Sequence, residues 1–289
     1  MTAFARIALI GFGEVGQTLA EDLTGKTALS VWDVAFADPD SAPSRALARH
    51  QVRVGRDAPD AVRDAELVIC AVTADQDLAA AQSVGPGLPK GALFLDLNSC
   101  SPGQKVASAQ VVEAAGGRYV EAAVMSPIGP RRIAAPMLLG GVHAADFVTG
   151  ALPLGFTGAA PYSDRIGQAA ATKLCRSVMI KGVEALLTES LLAARHYGVE
   201  QVVLDSLSDL LPLPDWNRTA QYMISRSLEH GARRAEEMRE AARTVEEAGV
   251  PAPMSRAIAE RQDWAADYRG ALHDDLTAML DAINKDLRR

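Results

Sequence analysis

Apolar residues along this chain fall first into short unbroken runs and later into long helical stripes. Ile7-Ala8-Leu9-Ile10 is a run of the kind that fills a parallel strand covered on both faces. Leu29 to Trp32, Leu67 to Val72, Leu93 to Asp96 and Tyr119 to Met125 repeat it. Helical segments lie between them, at Gln17 to Leu23, with Leu19 and Leu23 on one face, and at Gly103 to Ala115. Strands alternating with helices predict a doubly wound α/β sheet with parallel strands. In such sheets ligands bind beyond the C-terminal strand ends, where Thr73, Asn98 and Met125 to Pro127 fall.

The pattern then changes. Met125 to Pro136 carries Pro127, Pro130 and Pro136, which predicts neither a helix interior nor a central strand. Its pair Arg131-Arg132 fits either a substrate wall that forks onto a carboxylate or phosphate, or a rigid surface connection with solvated arginines. After Asp164 the chain reads as helical. One helix covers Ile166 to about Tyr197, about 48 Å at 1.5 Å per residue. Others cover about Glu200–Leu211, Trp216–Gly231, Ala232–Ala248, Met254–Tyr268 and Asp274–Leu287. Gly198, Pro212, Pro214, Gly249, Pro251, Pro253 and Gly270 punctuate them. Two domains follow, residues 1–164 and an all-α domain of residues 165–289 entered along an interdomain helix, residues 165–197.

The 289 residues hold 29 Lys and Arg against 36 Asp and Glu, a net charge of −7. That excess of acid argues against nucleic acid as the main partner, since phosphate binding needs a basic footprint. The longest uncharged apolar runs fall short of a membrane span. The N-terminus shows no basic region followed by an apolar signal core. Three scattered cysteines cannot form a disulfide framework and fit a reducing compartment. A soluble, cytoplasmic protein is the expectation. Cys70 and Cys175 read as small core residues, while Cys100 is either reactive or merely compact. No His, Cys, Asp and Glu spacing suggests a metal site.

The first strand runs directly into Gly11-Phe12-Gly13-Glu14-Val15-Gly16 and then a helix. This order marks a Rossmann dinucleotide-binding unit, in which glycines give a tight turn, backbone approach to a pyrophosphate and close helix packing. The helix N-terminus offers N–H groups and a positive dipole end to phosphates. Asp33 ends the second strand, 17 residues after Gly16. A carboxylate there accepts from both ribose hydroxyls and repels a 2′-phosphate, which favours NAD over NADP. It also fits a residue that only ends a strand and caps a turn. Arg45 and Arg49 are near enough in sequence to serve a phosphate instead. Val72 and Thr73, ending the strand from Leu67, complete the expected cofactor set.

Lys173 sits early on the long helix among Gly167, Ala169, Ala170 and Ala171. Small neighbours allow close packing, and desolvation would lower the lysine pKa toward that of a usable general base. By composition alone a solvated lysine on an amphipathic helix fits as well. Ser177 follows one turn later on the same face.

These features together resemble the β-hydroxyacid dehydrogenases, the superfamily of 3-hydroxyisobutyrate and 6-phosphogluconate dehydrogenases. The resemblance spans nearly the whole chain. It is carried by Gly11 to Gly16, by Asp96-Leu97-Asn98-Ser99-Cys100-Ser101-Pro102, by Glu121-Ala122-Ala123-Val124-Met125-Ser126-Pro127, and by Gly167 to Lys173. It implies an NAD(P)-binding domain, a catalytic Lys173 and an all-α domain that dimerises. Lys173 would take the proton of a substrate 3-hydroxyl while hydride passes to the nicotinamide. Asn98 and Ser99 match the segment that holds the substrate carboxylate, and Ser126, Ser177 and Arg131 complete the expected substrate set.

Three departures mark a divergent branch. Ser177 stands where the family has asparagine, and Met125-Ser126-Pro127 replaces a Ser-Gly-Gly loop. Glu236-Glu237 replaces a Lys-Asp pair, with His230, Arg233 and Arg234 near enough to compensate. The second acid of the decarboxylating branch falls at Ile180, and Glu184 lies 11 residues past Lys173, about 16 Å along the axis. Oxidation and reduction without decarboxylation is therefore expected. An imine reductase and a non-catalytic dinucleotide sensor are the competing readings, and Lys173 counts against the first.

Overall fold

The computed structural model describes residues 4–210 and 215–287. The expected helix end at Leu211 and the breaks at Pro212 and Pro214 lie outside the described residues, as does the start of the N-terminus. The chain divides into two compact units, Met1–Lys173 and Leu174–Arg289.

The first unit is built on eight strands: β1 (Arg6–Ile10), β2 (Ala28–Trp32), β3 (Arg53–Val54), β4 (Leu67–Cys70), β5 (Leu93–Asp96), β6 (Arg118–Val124), β7 (Met137–Gly140) and β8 (Ala159–Ser163). They lie in the order β3-β2-β1-β4-β5-β6-β7-β8. All pairings are parallel except β6 with β7, so the expected sheet is present with one antiparallel step. Every residue of β4 and β5 is buried, which is why those strands read as continuous apolar runs.

Side chains alternate between the two faces. Ile7 and Leu9 join a core with Leu19, Leu23, Val31 and Phe147 on one side, while Ala8 and Ile10 join Val68, Phe94 and Val112 on the other. Helices Glu14–Leu23, Asp77–Val84, Pro102–Ala114 and Ala144–Ala151 cover the sheet. The proline tract is less irregular than expected. It contains a helical turn, Ile128–Arg131, and a 3₁₀ turn, Arg132–Ala134, because Pro130 falls in a first turn where no amide hydrogen is needed. Arg132 has φ +53° and is pinned by Asp22 at 2.8 Å and Glu21 at 2.7 Å.

Helix Gln168–Tyr197 begins in the first unit and continues through the second. The rest of the second unit is helical: Glu200–Leu210, Trp216–Glu247, Pro253–Ala266 and Leu276–Leu287. Leu191, Ile224, Leu228, Met279, Leu280 and Ile283 form its main core. The two helices expected over residues 216–248 are present within Trp216–Glu247, meeting at a kink where His230 leaves helical geometry (φ −125°, ψ 16°). Gly231 is the first residue past that kink. A Cβ there would lie 2.3 Å from the carbonyl oxygen of Gln262, so glycine lets helix Pro253–Ala266 touch the backbone. Cys175 is exposed and not the core residue expected, whereas Cys70 and Cys100 are buried. Among the described residues no helix is long and apolar enough to cross a membrane.

Candidate active site

The strand order reverses between β1 and β4, and the loops leaving β1, β4, β5 and β6 gather at the C-terminal edge of the sheet. The β1 loop has the geometry its glycines promised. Gly11 has φ +93°, and a Cβ on it would fall 2.2 Å from the carbonyl oxygen of Ala71. A Cβ on Gly16 would fall 2.2 Å from the carbonyl oxygen of Gly11. Gly13 differs, because a Cβ there would meet nothing within 4 Å. It caps helix Glu14–Leu23 with no side-chain acceptor, which leaves the first-turn N–H groups without a side-chain cap. This cradle fits a pyrophosphate. Phe12 contributes backbone only, since its ring is buried against Phe36 and His50. Glu14 is exposed and Val15 half-buried.

Asp33 both ends β2 and caps a turn. One carboxylate oxygen accepts from Phe12 N at 2.6 Å and the other from Ala35 N at 2.8 Å. It thereby ties the glycine loop to β2, and each oxygen keeps a lone pair for a ribose hydroxyl. Arg45 binds the carbonyl oxygen of Asp40, and Arg49 is exposed. After β4, Val72 N donates to Asn98 Oδ1 at 2.7 Å, and exposed Thr73 donates its hydroxyl to Asp75. That hydrogen bond holds the Asp75 carboxyl below its ordinary range.

Asn98 is placed differently from the expectation. Its side chain is buried, and its amide donates to Asp77 Oδ1 at 2.6 Å and approaches Cys70 Sγ at 3.4 Å. With Oδ1 held by Val72, the group is spent inside the fold, joining the ends of β4 and β5. Ser99, the next residue, is half-buried and accepts a hydrogen bond from Lys173 Nζ at 2.6 Å. Of the expected catalytic and substrate residues of the first unit, Lys173 and Ser99 are the two in contact. Ser126 donates weakly to the carbonyl oxygen of Pro127 at 3.3 Å, and Arg131 is exposed.

Beneath the Asn98–Ser99 segment lies a buried polar cluster that sequence reasoning missed. Lys105 Nζ is 2.7 Å from Asp96 Oδ1. Tyr119 donates to Asp96 at 2.5 Å, and Ser108 to Asp77 at 2.6 Å. Burial pushes the Asp96 carboxyl up to about 7 against the pull of Lys105. Lys105 stays cationic: burial is the largest influence and opposes its charge, but Asp96 and the other acidic groups around it together outweigh burial and raise the pKa. Burial also pushes the Cys100 thiol up, so it is not a ready nucleophile. Asp77, Asp96 and Cys100 carry ligand atoms within 4.8 Å of one another, but the ammonium of Lys105 already supplies positive charge there.

A second missed residue is Glu121 of β6. It is fully buried and accepts from Gly167 N at 2.6 Å and Ala170 N at 2.5 Å, at the start of the helix bearing Lys173.

In the second unit, Ser177 accepts from Lys181 at 3.2 Å, and Lys181 pairs with Glu237 at 2.6 Å. Lys181 is thus a cation facing Glu237 that the sequence reading did not name. Arg234 is taken by Glu184, whose carboxyl burial raises, and Glu236 and Arg233 are exposed. Lys181 lies two turns past Lys173, the one signal that pointed to it.

This strand, glycine loop and helix define a dinucleotide-binding domain. Residues 6–143 match the family profile of the NAD binding domain of 6-phosphogluconate dehydrogenase, and residues 194–265 match a domain of unknown function, DUF1932. The chain belongs to the β-hydroxyacid dehydrogenase superfamily of NAD(P)-dependent oxidoreductases, and its cofactor is NAD or NADP. A conserved hypothetical protein from Sinorhizobium meliloti 1021 is 36% identical over 99% of this chain and 97% of its own, with a TM-score of 0.78. A conserved protein described as structurally similar to 3-hydroxyacid dehydrogenases is 26% identical, over 91% of this chain and 97% of its own, at a TM-score of 0.68. The 3-hydroxyisobutyrate dehydrogenase of Mycobacterium tuberculosis shares the fold, at 21% identity, 98% and 99% coverage and a TM-score of 0.71.

Proposed function

We propose that the chain is an NAD-preferring dehydrogenase of a small 3-hydroxy acid, with Lys173 as general acid and base. The hydrogen bond from Lys173 Nζ to Ser99 Oγ carries this reading. It brings a lysine onto a hydroxyl at the ligand-binding edge of a dinucleotide-binding sheet. Bound nicotinamide supplies a hydride acceptor in oxidation and a donor in reduction. Lys173 takes the substrate's hydroxyl proton in one direction and returns it in the other. Gly11 to Gly16 hold the pyrophosphate, Asp33 the ribose, and Val72 and Thr73 border the dinucleotide.

Ser99, Ser126, Ser177 and Arg131 are the proposed substrate ligands, with Asn98 holding the segment that presents Ser99. Ile180 offers no acid for decarboxylation, so oxidation leaves the carbon skeleton intact. Residues 1–164 form the cofactor domain in this reading, and residues 165–289 the substrate and dimerisation domain.

Thermal unfolding with matched NADH and NADPH tests the cofactor assignment. A hundredfold excess over Kd stabilises by about 2.7 kcal/mol, and the larger shift is expected with NADH. Oxidation of a 3-hydroxy-acid panel with NAD should follow. A larger NADPH shift would overturn the role given to Asp33. No shift with either would remove the dehydrogenase reading at its base.

A homodimer through the helical unit is part of this proposal. Met179, Leu186, Tyr197 and Val202, each more than 60% exposed on its helices, are apolar side chains that such a dimer would cover. Sedimentation equilibrium should give twice the chain mass; a monomer at micromolar concentration would contradict it.

A further inference from the structure

Helix Gln168–Tyr197 starts without a capping side chain of its own. Gly167 occupies the cap position, since its carbonyl accepts the first helical bond from Ala171 N at 2.9 Å. Its φ is +95°, and a Cβ on it would lie 3.1 Å from Cβ of Pro102. The third helical residue, Ala170, has no polar group either. A capping box normally uses two side chains at these positions, one accepting from the N–H of each. Here one distant residue does both: Glu121 Oε2 accepts from Gly167 N and Oε1 from Ala170 N.

The sheet is shaped to let it do so. Glu121 lies in β6 opposite Asp96 on one side and Gly140 on the other. A Cβ on Gly140 would stand 2.5 Å from Glu121 Oε2, so the carboxylate reaches the helix across the space a side chain would fill. Burial raises the Glu121 carboxyl above its ordinary value, while the charge of Lys105 and the two N–H bonds act against that rise. The positive end of the helix dipole also favours the charged form. Ala170 lies one turn before Lys173, on the same face.

We propose that Glu121 is a positioning residue for Lys173, fixing the first helical turn to β6 so that Nζ is held on Ser99. This rests on the general acid and base role given to Lys173 above. The site then has two supports: Glu121 sets the lysine through its helix, and the Asp96–Lys105 cluster sets Ser99 through its strand.

The test compares the full-length protein with Glu121→Gln and Gly140→Ala. The first keeps the shape but replaces one acceptor oxygen with an NH2 group. The second leaves Glu121 in place and displaces only the flexible end of its side chain, so it serves if Glu121→Gln does not fold. Three readouts are taken: kcat and KM with NAD, amide hydrogen exchange at residues 167–173, and competitive amine labelling of Lys173 against exposed Lys90. In both variants exchange should quicken, the Lys173 to Lys90 labelling ratio should change, and kcat should fall roughly 10- to 100-fold with KM little altered. Faster exchange with unchanged labelling and kcat would make Glu121 a structural cap only and overturn the proposal. Changed labelling in a protein whose wild type oxidises no hydroxy acid would uphold the positioning while the dehydrogenase reading failed.

Discussion

Replacing Lys173 by Met should lower kcat/KM for the hydroxy acid by roughly 10²- to 10⁴-fold, the range for losing a general acid or base. That corresponds to about 3 to 5 kcal/mol of transition-state stabilisation. Cofactor affinity should hold, because the groups that would bind the dinucleotide, Gly11 to Gly16 and Asp33, are fixed by their own backbone contacts and make none with Lys173. Methionine fills the half-buried lysine stem, so the loss reports on the ammonium and its bond to Ser99 Oγ. Steady-state kinetics with a parallel NADH titration measures both quantities. Retained turnover would remove Lys173 from the chemistry. Loss of NADH binding would show that the lysine belongs to the cofactor site and not to the substrate.

Much of the first unit was legible because its strands are buried on both faces. Ile7–Ile10, Leu67–Cys70 and Leu93–Leu95 are then apolar throughout, and such runs stand out. Two of the three strands that escaped lack that pressure, the third being the mostly buried β7. β3 is two exposed residues, and β8 is a mostly exposed edge strand containing Pro161. Gly231 was legible as a break, which falls at His230, but not as a contact. Its close approach to the backbone of Gln262 becomes visible only in the fold.

The candidate site divides in the same way. The glycine loop and Asp33 follow a fixed order of strand, glycine loop, helix and strand, so spacing revealed them. Asn98 and Glu121 carry no such motif and act through partners that the fold brings near: Asn98 with Asp77, Glu121 with Gly167 and Ala170. Sequence alone placed Asn98 correctly beyond β5, but not its orientation. Glu121 gave one unused signal, a charged residue in the middle of the buried run Tyr119–Ala123. Such a residue is buried at high cost unless it is paired, and so implies a partner.

Lys105→Met should be the most destabilising single change in the first unit. The ammonium is 1% exposed and pairs with Asp96, itself 0% exposed, while Asp77 beside it is also buried. Removing one partner of a buried pair costs about 3–5 kcal/mol, because the carboxylates left behind keep their desolvation penalty. For a unit of this size the unfolding midpoint should drop on the order of 10 °C. The pH dependence separates this cause from lost packing. With Lys105 absent, burial dominates both carboxyls and holds them above their unfolded value of about 3.9. A carboxyl raised in the folded state contributes stability that is fully present below the unfolded value and lost as pH rises through the folded one. The gap between wild type and variant should therefore narrow as pH falls from about 8 to about 5.5, measured by urea unfolding. A gap constant with pH would mean that the cost is a packing cost. Adding Asp96→Asn to Lys105→Met should recover part of the loss at neutral pH, since one of the two uncompensated charges is gone. Turnover should fall even below the unfolding transition, because Asp96 also anchors the backbone N–H of Asn98 at 2.9 Å, one residue before the serine that holds Lys173.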